Sequence, residues 1–280
     1  VIEKKINRIE LGVETDEEEF VGFVQGVYHH SLIESDRLVT KVQVGNQNQD
    51  FNIRTYSLAY TQPWIANRLP IEFRCKIWLD LKQEVLASQR GVSGTLVQDT
   101  REGQSISLKI PLKDPYYSIQ TTYKRERVVP HNEQDFNSYK LRAIRNGLFY
   151  NNIGANYNPQ KGSYWKINVE NGDTFMFLTL GGLSYWRAET EWSKFIPISK
   201  TVLALHLQAD IFKSMETQDT LEVETYVLGG GSTLRGYKDR SFPFVGSRRF
   251  LINTELRYNV TPKWQGVVFV DAGKMLIKEN

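Results

Sequence analysis

Apolar and polar side chains alternate along many stretches of this chain. In residues 71–82, apolar residues fill every second position, and five of the six residues between them are charged. A period of two predicts β-strands with one apolar and one polar face. The same alternation runs through 104–112, 201–212 and 248–260. Further strands are predicted around residues 5–14, 20–29, 37–48, 51–60, 116–128, 138–146, 164–170, 174–180, 184–196 and 264–274.

Two architectures use such strands: water-soluble sandwiches or barrels, with the apolar face inward, and membrane barrels, with that face toward lipid. Several predicted strands reach the ~9–11 residues of a membrane-crossing strand, whereas sandwich strands usually have ~5–6. Charges in mid-strand suit a water-filled lumen. Aromatic residues near strand ends suit interfacial girdles: Trp64, Tyr117, Trp165, Trp186 and Trp264. These features favour an all-β, transmembrane, antiparallel up-and-down β-barrel, and a soluble β-protein is the alternative.

Alternation also predicts which side chains face lipid and which face the lumen. The lipid-facing set contains Phe73, Ile77, Leu79, Leu205, Leu207, Ile252 and Leu256. The lumen-facing set contains Arg74, Lys76, His206, Glu255 and Arg257.

Composition narrows the possible functions. The chain has 280 residues with a net charge of +3, so bulk electrostatics do not favour a nucleic-acid partner. The single cysteine, Cys75, excludes an intramolecular disulfide and is interpreted as a small lipid-facing residue. The first ten residues have no apolar core like that of a signal peptide, so we expect any export signal to lie upstream or to have been removed.

The sequence contains no recognisable catalytic or cofactor motif. The glycine-rich segment 228–242 lacks the residues of a phosphate loop, a dinucleotide fingerprint or an esterase elbow. Asp271 has no accompanying base, nucleophile or oxyanion donor. No metal site is expected from the histidines, two of which are adjacent and so point to opposite faces of a strand: His29, His30, His131 and His206. We therefore expect no enzyme activity, no cofactor and no metal.

The segment LGGGSTLRGYKDRSF, residues 228–242, is followed by FLINTELRYNV and then by VVFVDAGKM. This series resembles the carboxy-terminal barrel signature of the BamA/TamA superfamily of outer-membrane assembly and translocation proteins. Weaker similarities occur in YSLAYTQPWIANRLPIEF and NYNPQKGSYWKINVE. The resemblance is close over residues 228–274 and loose over most of the chain.

In that superfamily a long extracellular loop folds back into the lumen, and an arginine at its tip meets acidic residues on the inner barrel wall. The resemblance implies such a loop at 213–247. Its tip would be Leu234, Arg235, Gly236 and Tyr237, and its acidic partners Glu255 and Asp271. Glycine allows close approach and positive φ, as expected for Gly229, Gly230 and Gly231, while Gly236 would leave room beside the guanidinium. A planar guanidinium can hold two carboxylates. The alternative is an exposed hairpin tip with a solvated arginine.

The resemblance also implies how the protein is organised. Residues 1–280 would form a bacterial-type outer-membrane barrel, with about thirteen of the superfamily's sixteen strands recognisable. We expect the chain to be a fragment, with periplasmic POTRA domains upstream and an incompletely paired strand near 264–274. The alternative is a complete chain that forms a smaller barrel or needs a partner to cover its edge.

The implied function is insertion and assembly of outer-membrane proteins, or translocation of polypeptides across the outer membrane. The alternative is a passive pore, or a membrane anchor for a fused passenger domain, that keeps the docked loop for folding only. The expected partners are outer-membrane lipid or lipopolysaccharide, and client polypeptides or assembly partners that act through periplasmic domains; nucleic acid is not expected.

Overall fold

The computed structural model describes residues 7–15, 20–29, 36–47, 50–65, 69–89, 92–130, 138–153, 158–215, 226, 228–230, 233–237, 247–261 and 264–276. Within these residues all regular secondary structure is β. The strands are β1 (Arg8–Thr15), β2 (Phe20–His29), β3 (Arg37–Gln47), β4 (Asp50–Gln62), β5 (Glu72–Gln89), β6 (Val92–Pro111), β7 (Tyr117–Pro130), β8 (Tyr139–Asn151), β9 (Gly162–Gly172), β10 (Thr174–Phe175), β11 (Leu178–Thr179), β12 (Tyr185–Ile198), β13 (Thr201–Ser214), β14 (Arg248–Asn259) and β15 (Gln265–Leu276).

The strands form one large antiparallel sheet in chain order. It has 13 strands, and β10 and β11 form a separate two-stranded hairpin between β9 and β12. The predicted all-β, up-and-down order is confirmed. Within the described residues, β1 and β15 end the strand order and each pairs with one neighbour. A twisted sheet with more than ~10 strands normally curls, so this order is that of a barrel wall.

Two predictions of strand boundaries were wrong. Residues 174–180 are not one strand but the β10–β11 hairpin, because Asp173 and Met176 adopt left-handed backbone conformations with φ of 65° and 55°. Non-glycine residues rarely do this, so no sequence signal marked the turn. Strand β5 continues to Gln89 and strand β6 begins at Val92, so both strands are longer than predicted. The residues after position 82 show no clear alternation of apolar and polar side chains, so the sequence pattern did not predict that they belong to strands.

One face of the sheet is apolar and exposed. The register pairs Ile106 with Tyr123 and Tyr123 with Ile144 on this face, and it pairs Leu207 with Ile252. Ile106 is 50% exposed, which is unfavourable in water and favourable in lipid. The predicted lipid-facing and lumen-facing sets lie on opposite faces of the sheet.

The opposite, inner face carries paired charges. Glu170 is fully buried and accepts hydrogen bonds of 2.6 Å from Arg145 Nε and from the Tyr185 hydroxyl. Asp210 accepts from Arg249 Nε at 2.8 Å. Buried charges are stable when paired in this way, so the inner face can be polar although much of it is shielded from water.

The connections differ in length at the two ends of the strands. At one end the connections are short or intermediate: 112–116, 152–161, 199–200 and 260–264. At the other end lie the two longest connections, 173–184 with its hairpin and 215–247. Outer-membrane barrels have short turns at one end and longer loops at the other, and the two ends of this sheet differ in the same way.

Aromatic side chains cluster at the short-turn end. Tyr117 lies 4.8 Å from Tyr150 and 5.9 Å from Trp165 between ring centroids. Rings in this position can form an interfacial girdle. Among the described residues, no helix is both long enough and apolar enough to cross a membrane.

Candidate functional site

The site begins with the hairpin formed by β14 and β15. The register pairs Glu255 with Phe269 and Asn253 with Asp271. Side chains alternate along a strand, so all four residues point to the same, inner face. The hairpin therefore places two carboxylates next to each other on the inner wall.

Arg235, from the connection between β13 and β14, binds both carboxylates. Its Nε donates to Asp271 Oδ2 at 2.8 Å, and its Nη2 donates to Asp271 Oδ1 at 2.6 Å. Its Nη1 donates to Glu255 Oε1. Its backbone N–H also donates to Asp271 Oδ2, at 2.9 Å. The bidentate pair with Asp271 fixes the plane of the guanidinium as well as its position.

The surroundings of Arg235 strengthen these contacts. The guanidinium carbon lies 3.9 Å from the centroid of the Phe269 ring, a cation–π distance. The side chain of Asp271 is 4% exposed, while those of Arg235 and Glu255 are 23% and 18% exposed. Hydrogen bonds to Asp271 and Glu255 raise the pKa of Arg235, so the arginine is charged at any physiological pH.

Glu255 is shared between two arginines. Its Oε2 accepts from Arg257 Nε and from Arg257 Nη2, both at 2.6 Å, while its Oε1 accepts from Arg235. Two arginines and two acids therefore form an electroneutral cluster: Arg235, Arg257, Glu255 and Asp271. Asp271 depends on Arg235 more than Glu255 does, because Glu255 keeps a second cation.

Apolar packing accompanies the ion pairs. Leu228, Leu234 and Leu251 form a buried cluster against which Met275 packs. A Cβ added to Gly273 would lie 3.2 Å from both Leu228 Cδ1 and Leu234 Cδ2, so glycine on β15 lets these leucines lie against the wall. The connection is therefore held by burial of two leucines in addition to Arg235.

The glycines of the segment have separate roles. Gly229 and Gly230 adopt φ of 114° and 89°, and Gly236 adopts φ of 89°, which glycine tolerates best. The Thr233 hydroxyl donates to the Gly229 carbonyl at 2.7 Å and closes the turn. Gly231 lies outside the described residues.

One expectation for the tip needs correction. A Cβ at Gly236 would meet nothing within 4 Å, so this glycine is required by its backbone conformation and not to make room for the guanidinium. Tyr237 is 57% exposed, and its carbonyl accepts from the Gly230 N–H at 3.1 Å. Within the predicted tip, Leu234 is buried and Tyr237 is exposed.

Sequence reasoning missed several residues of the site. Asn253 Nδ2 donates to the Thr233 carbonyl at 2.7 Å, and Phe269 lies under the guanidinium. The signal was present, because alternation from Glu255 and Asp271 puts Asn253, Phe269 and Gly273 on the inner face.

The chain is similar to known proteins in both sequence and fold. The model of the Omp85 superfamily domain matches residues 36–280. The structure of BamA from Haemophilus ducreyi lacking POTRA domains 1–3 is similar with a TM-score of 0.73 and 16% identity, over 98% of this chain and 58% of that chain. CdiB from Acinetobacter baumannii is similar with a TM-score of 0.59 and 14% identity, over 97% of this chain and 50% of that one.

The sequence gives no match among curated proteins. The chain spans little more than half the length of the BamA structure and half that of CdiB. At these identities the two structures establish the fold, a transmembrane β-barrel, while the family match covers most of the sequence. This chain belongs to the Omp85 superfamily.

Proposed function

We propose that this barrel works in the bacterial outer membrane, where it inserts other outer-membrane proteins or passes polypeptides across the membrane. The observation that carries the proposal is the docking of residues 228–230 and 233–237 on the inner wall through Arg235, Glu255 and Asp271. Membership of the Omp85 superfamily supports a general role in assembly or translocation.

The docked segment suits a protein-handling barrel better than a passive channel. A segment held inside the lumen obstructs free diffusion, and its contacts are concentrated on one hairpin of the wall, β14 and β15. Insertion or passage of a polypeptide client would then depend on how this hairpin and the segment are arranged. We expect loss of Arg235 to impair client handling before it prevents folding of the barrel.

The test uses the full-length protein in proteoliposomes, with an unfolded eight-stranded outer-membrane protein as the client. Folding of the client is followed by its heat-modifiable mobility in gels, and translocation by protease protection. Wild-type protein should accelerate one of these processes, and Arg235→Ala should abolish most of the acceleration. Arg248→Ala is the matched control, because Arg248 is exposed at the start of β14 and faces away from the lumen.

The passive alternative makes a different prediction. A pore or passenger anchor would leave client folding unchanged for the wild-type protein. Arg235→Ala would then raise ionic conductance across planar bilayers with no effect on any client. That pair of results would replace the proposal with the alternative.

A further inference from the structure

Four basic side chains form two cross-strand pairs on the outward face of β7 and β8. The register places Arg125 opposite Arg142 and Arg127 opposite Lys140. Like charges directly opposite each other destabilise a strand pair, because their Cβ atoms are only ~4.5–5.5 Å apart. Within the described residues, one ion pair reaches this group, between Arg127 and Glu102 at 3.6 Å with both side chains 56% exposed. The group therefore has excess positive charge that an anion would neutralise.

This basic group borders the apolar belt. Along β7 the outward residue before Arg125 is Tyr123, and along β8 the outward residue next to Arg142 is Ile144. At ~3.4 Å per residue, Arg125 and Arg142 lie about 7 Å beyond these apolar neighbours, and Arg127 and Lys140 lie about 14 Å beyond them. This end of the strands bears the long connections, as the extracellular end of an outer-membrane barrel does. The level just outside the hydrocarbon core is where lipid head groups lie.

An apolar tip lies next to the basic group. Arg142 Nη1 donates to the Leu180 carbonyl at 2.8 Å and so ties the β10–β11 hairpin to the outward side of β8. At the turn of this hairpin, Met176, Phe177 and Leu178 are 77%, 89% and 53% exposed. Three consecutive large apolar side chains would be poorly solvated by water, and burial in acyl chains would stabilise them.

We propose that this surface binds lipid A, the phosphorylated and multiply acylated glycolipid anchor of lipopolysaccharide. Its phosphates neutralise Arg125, Arg127 and Lys140, and its acyl chains cover the tip formed by residues 176–178. Arg142 positions the hairpin. Lipid A matches both parts of this surface, the basic side chains and the apolar tip. A free anion would match only the basic side chains and would leave the apolar tip in water. The surface lies outside the barrel, so it does not depend on the proposed client function.

The test measures binding of bisphosphorylated lipid A to the purified full-length protein in detergent. Native mass spectrometry counts the bound lipid, and titration gives the dissociation constant. The test variant carries Arg125→Gln, Arg127→Gln and Lys140→Gln. The matched control carries Lys113→Gln, Lys161→Gln and Lys200→Gln, which removes the same charge from exposed positions in the short turns.

Wild-type protein and control should bind lipid A equally well, and the test variant should bind at least about tenfold more weakly, because each basic residue at a membrane surface contributes ~1 kcal/mol. Phe177→Ser should weaken binding several-fold without changing the salt dependence. Lipid A without its two phosphates should bind the wild-type protein and the test variant equally weakly. Heat-modifiable mobility verifies that each variant is folded, and Arg125→Gln alone, expected to bind about fivefold more weakly, serves if the triple variant does not fold.

Equal weakening of binding in both triple variants would overturn the proposal, since it would indicate general charge attraction. Inorganic phosphate that displaces lipid A at millimolar concentration, with no effect of Phe177→Ser, would reduce the site to an anion site. Unchanged binding in the test variant would remove the site altogether.

Discussion

Replacing Arg235 by alanine or lysine tests whether residues 228–237 are held by a planar, two-carboxylate contact. The alanine variant loses three side-chain hydrogen bonds and the contact with Phe269. Asp271, which is 4% exposed, keeps the backbone N–H of residue 235 and the side chain of Asn253. Removing one partner of a shielded ion pair costs about 3–5 kcal/mol, so this is the loss expected for docking of the segment.

The lysine variant separates charge from geometry. Lysine keeps a positive charge but presents one nitrogen, which cannot occupy the positions of Nε, Nη1 and Nη2 together. We expect a loss of about 2–4 kcal/mol, closer to that of alanine than to wild type. Arg235 should also couple more strongly to Asp271 than to Glu255 in double-mutant cycles, because Arg257 still pairs with Glu255.

Hydrogen exchange measured by mass spectrometry on peptides covering residues 228–237 is the appropriate assay, because these amides are bonded inside the segment and to the wall. A loss of 3 kcal/mol should speed their exchange by at least about a hundredfold. Exchange in the β14 peptide should change far less. Wild-type exchange rates in Arg235→Lys would refute the two-carboxylate argument, and wild-type rates in Arg235→Ala would show that the leucines alone hold the segment.

Three further substitutions test the packing, the backbone and the membrane face. Gly273→Ala should loosen the segment by about 1–3 kcal/mol through crowding of its leucines, and Leu234→Ala by about 2–5 kcal/mol through a cavity, both measured by the same exchange experiment. Gly236→Ala should cost about 1–2 kcal/mol through its φ of 89° alone, since its Cβ meets nothing; a larger loss would show a contact that the structure lacks. Leu207→Arg, outward at the middle of β13, should lower the free energy of unfolding in lipid vesicles by about 2–4 kcal/mol, and Gln208→Arg, which faces inward opposite Glu191, by less than about 1 kcal/mol; equal losses would contradict the assignment of the faces.

Much of the barrel could be predicted from sequence because alternation survives wherever one face meets lipid. The strand that contains Ile106 and the strand that contains Leu207 each have an uninterrupted apolar face. The structure pairs each of them with its neighbour in chain order, as expected. The β10–β11 hairpin escaped prediction because its four central residues, 175–178, are all apolar and its turn uses a methionine with positive φ. Period alone cannot distinguish such a segment from a strand.

The site was partly predictable for a different reason. Glu255 and Asp271 came from a motif resemblance, and alternation put Glu255 on the polar face. The roles of Leu228 and Leu234 could not be inferred, because an apolar residue in a glycine-rich segment has no period. The open space at Gly236 likewise depends on the path of the backbone, which no local pattern encodes.

The position of both carboxylates on one hairpin affects the order of assembly. Glu255 and Asp271 lie on strands joined by a short turn, and Arg257 already pairs with Glu255 across this surface. The receiving surface is therefore complete once β14 and β15 have paired, whatever the state of the first strands. We expect residues 228–237 to bind the β14–β15 hairpin as readily before the rest of the barrel has formed as afterwards. The bound segment would then stabilise the nascent barrel early, against collapse and against mispairing of its strands.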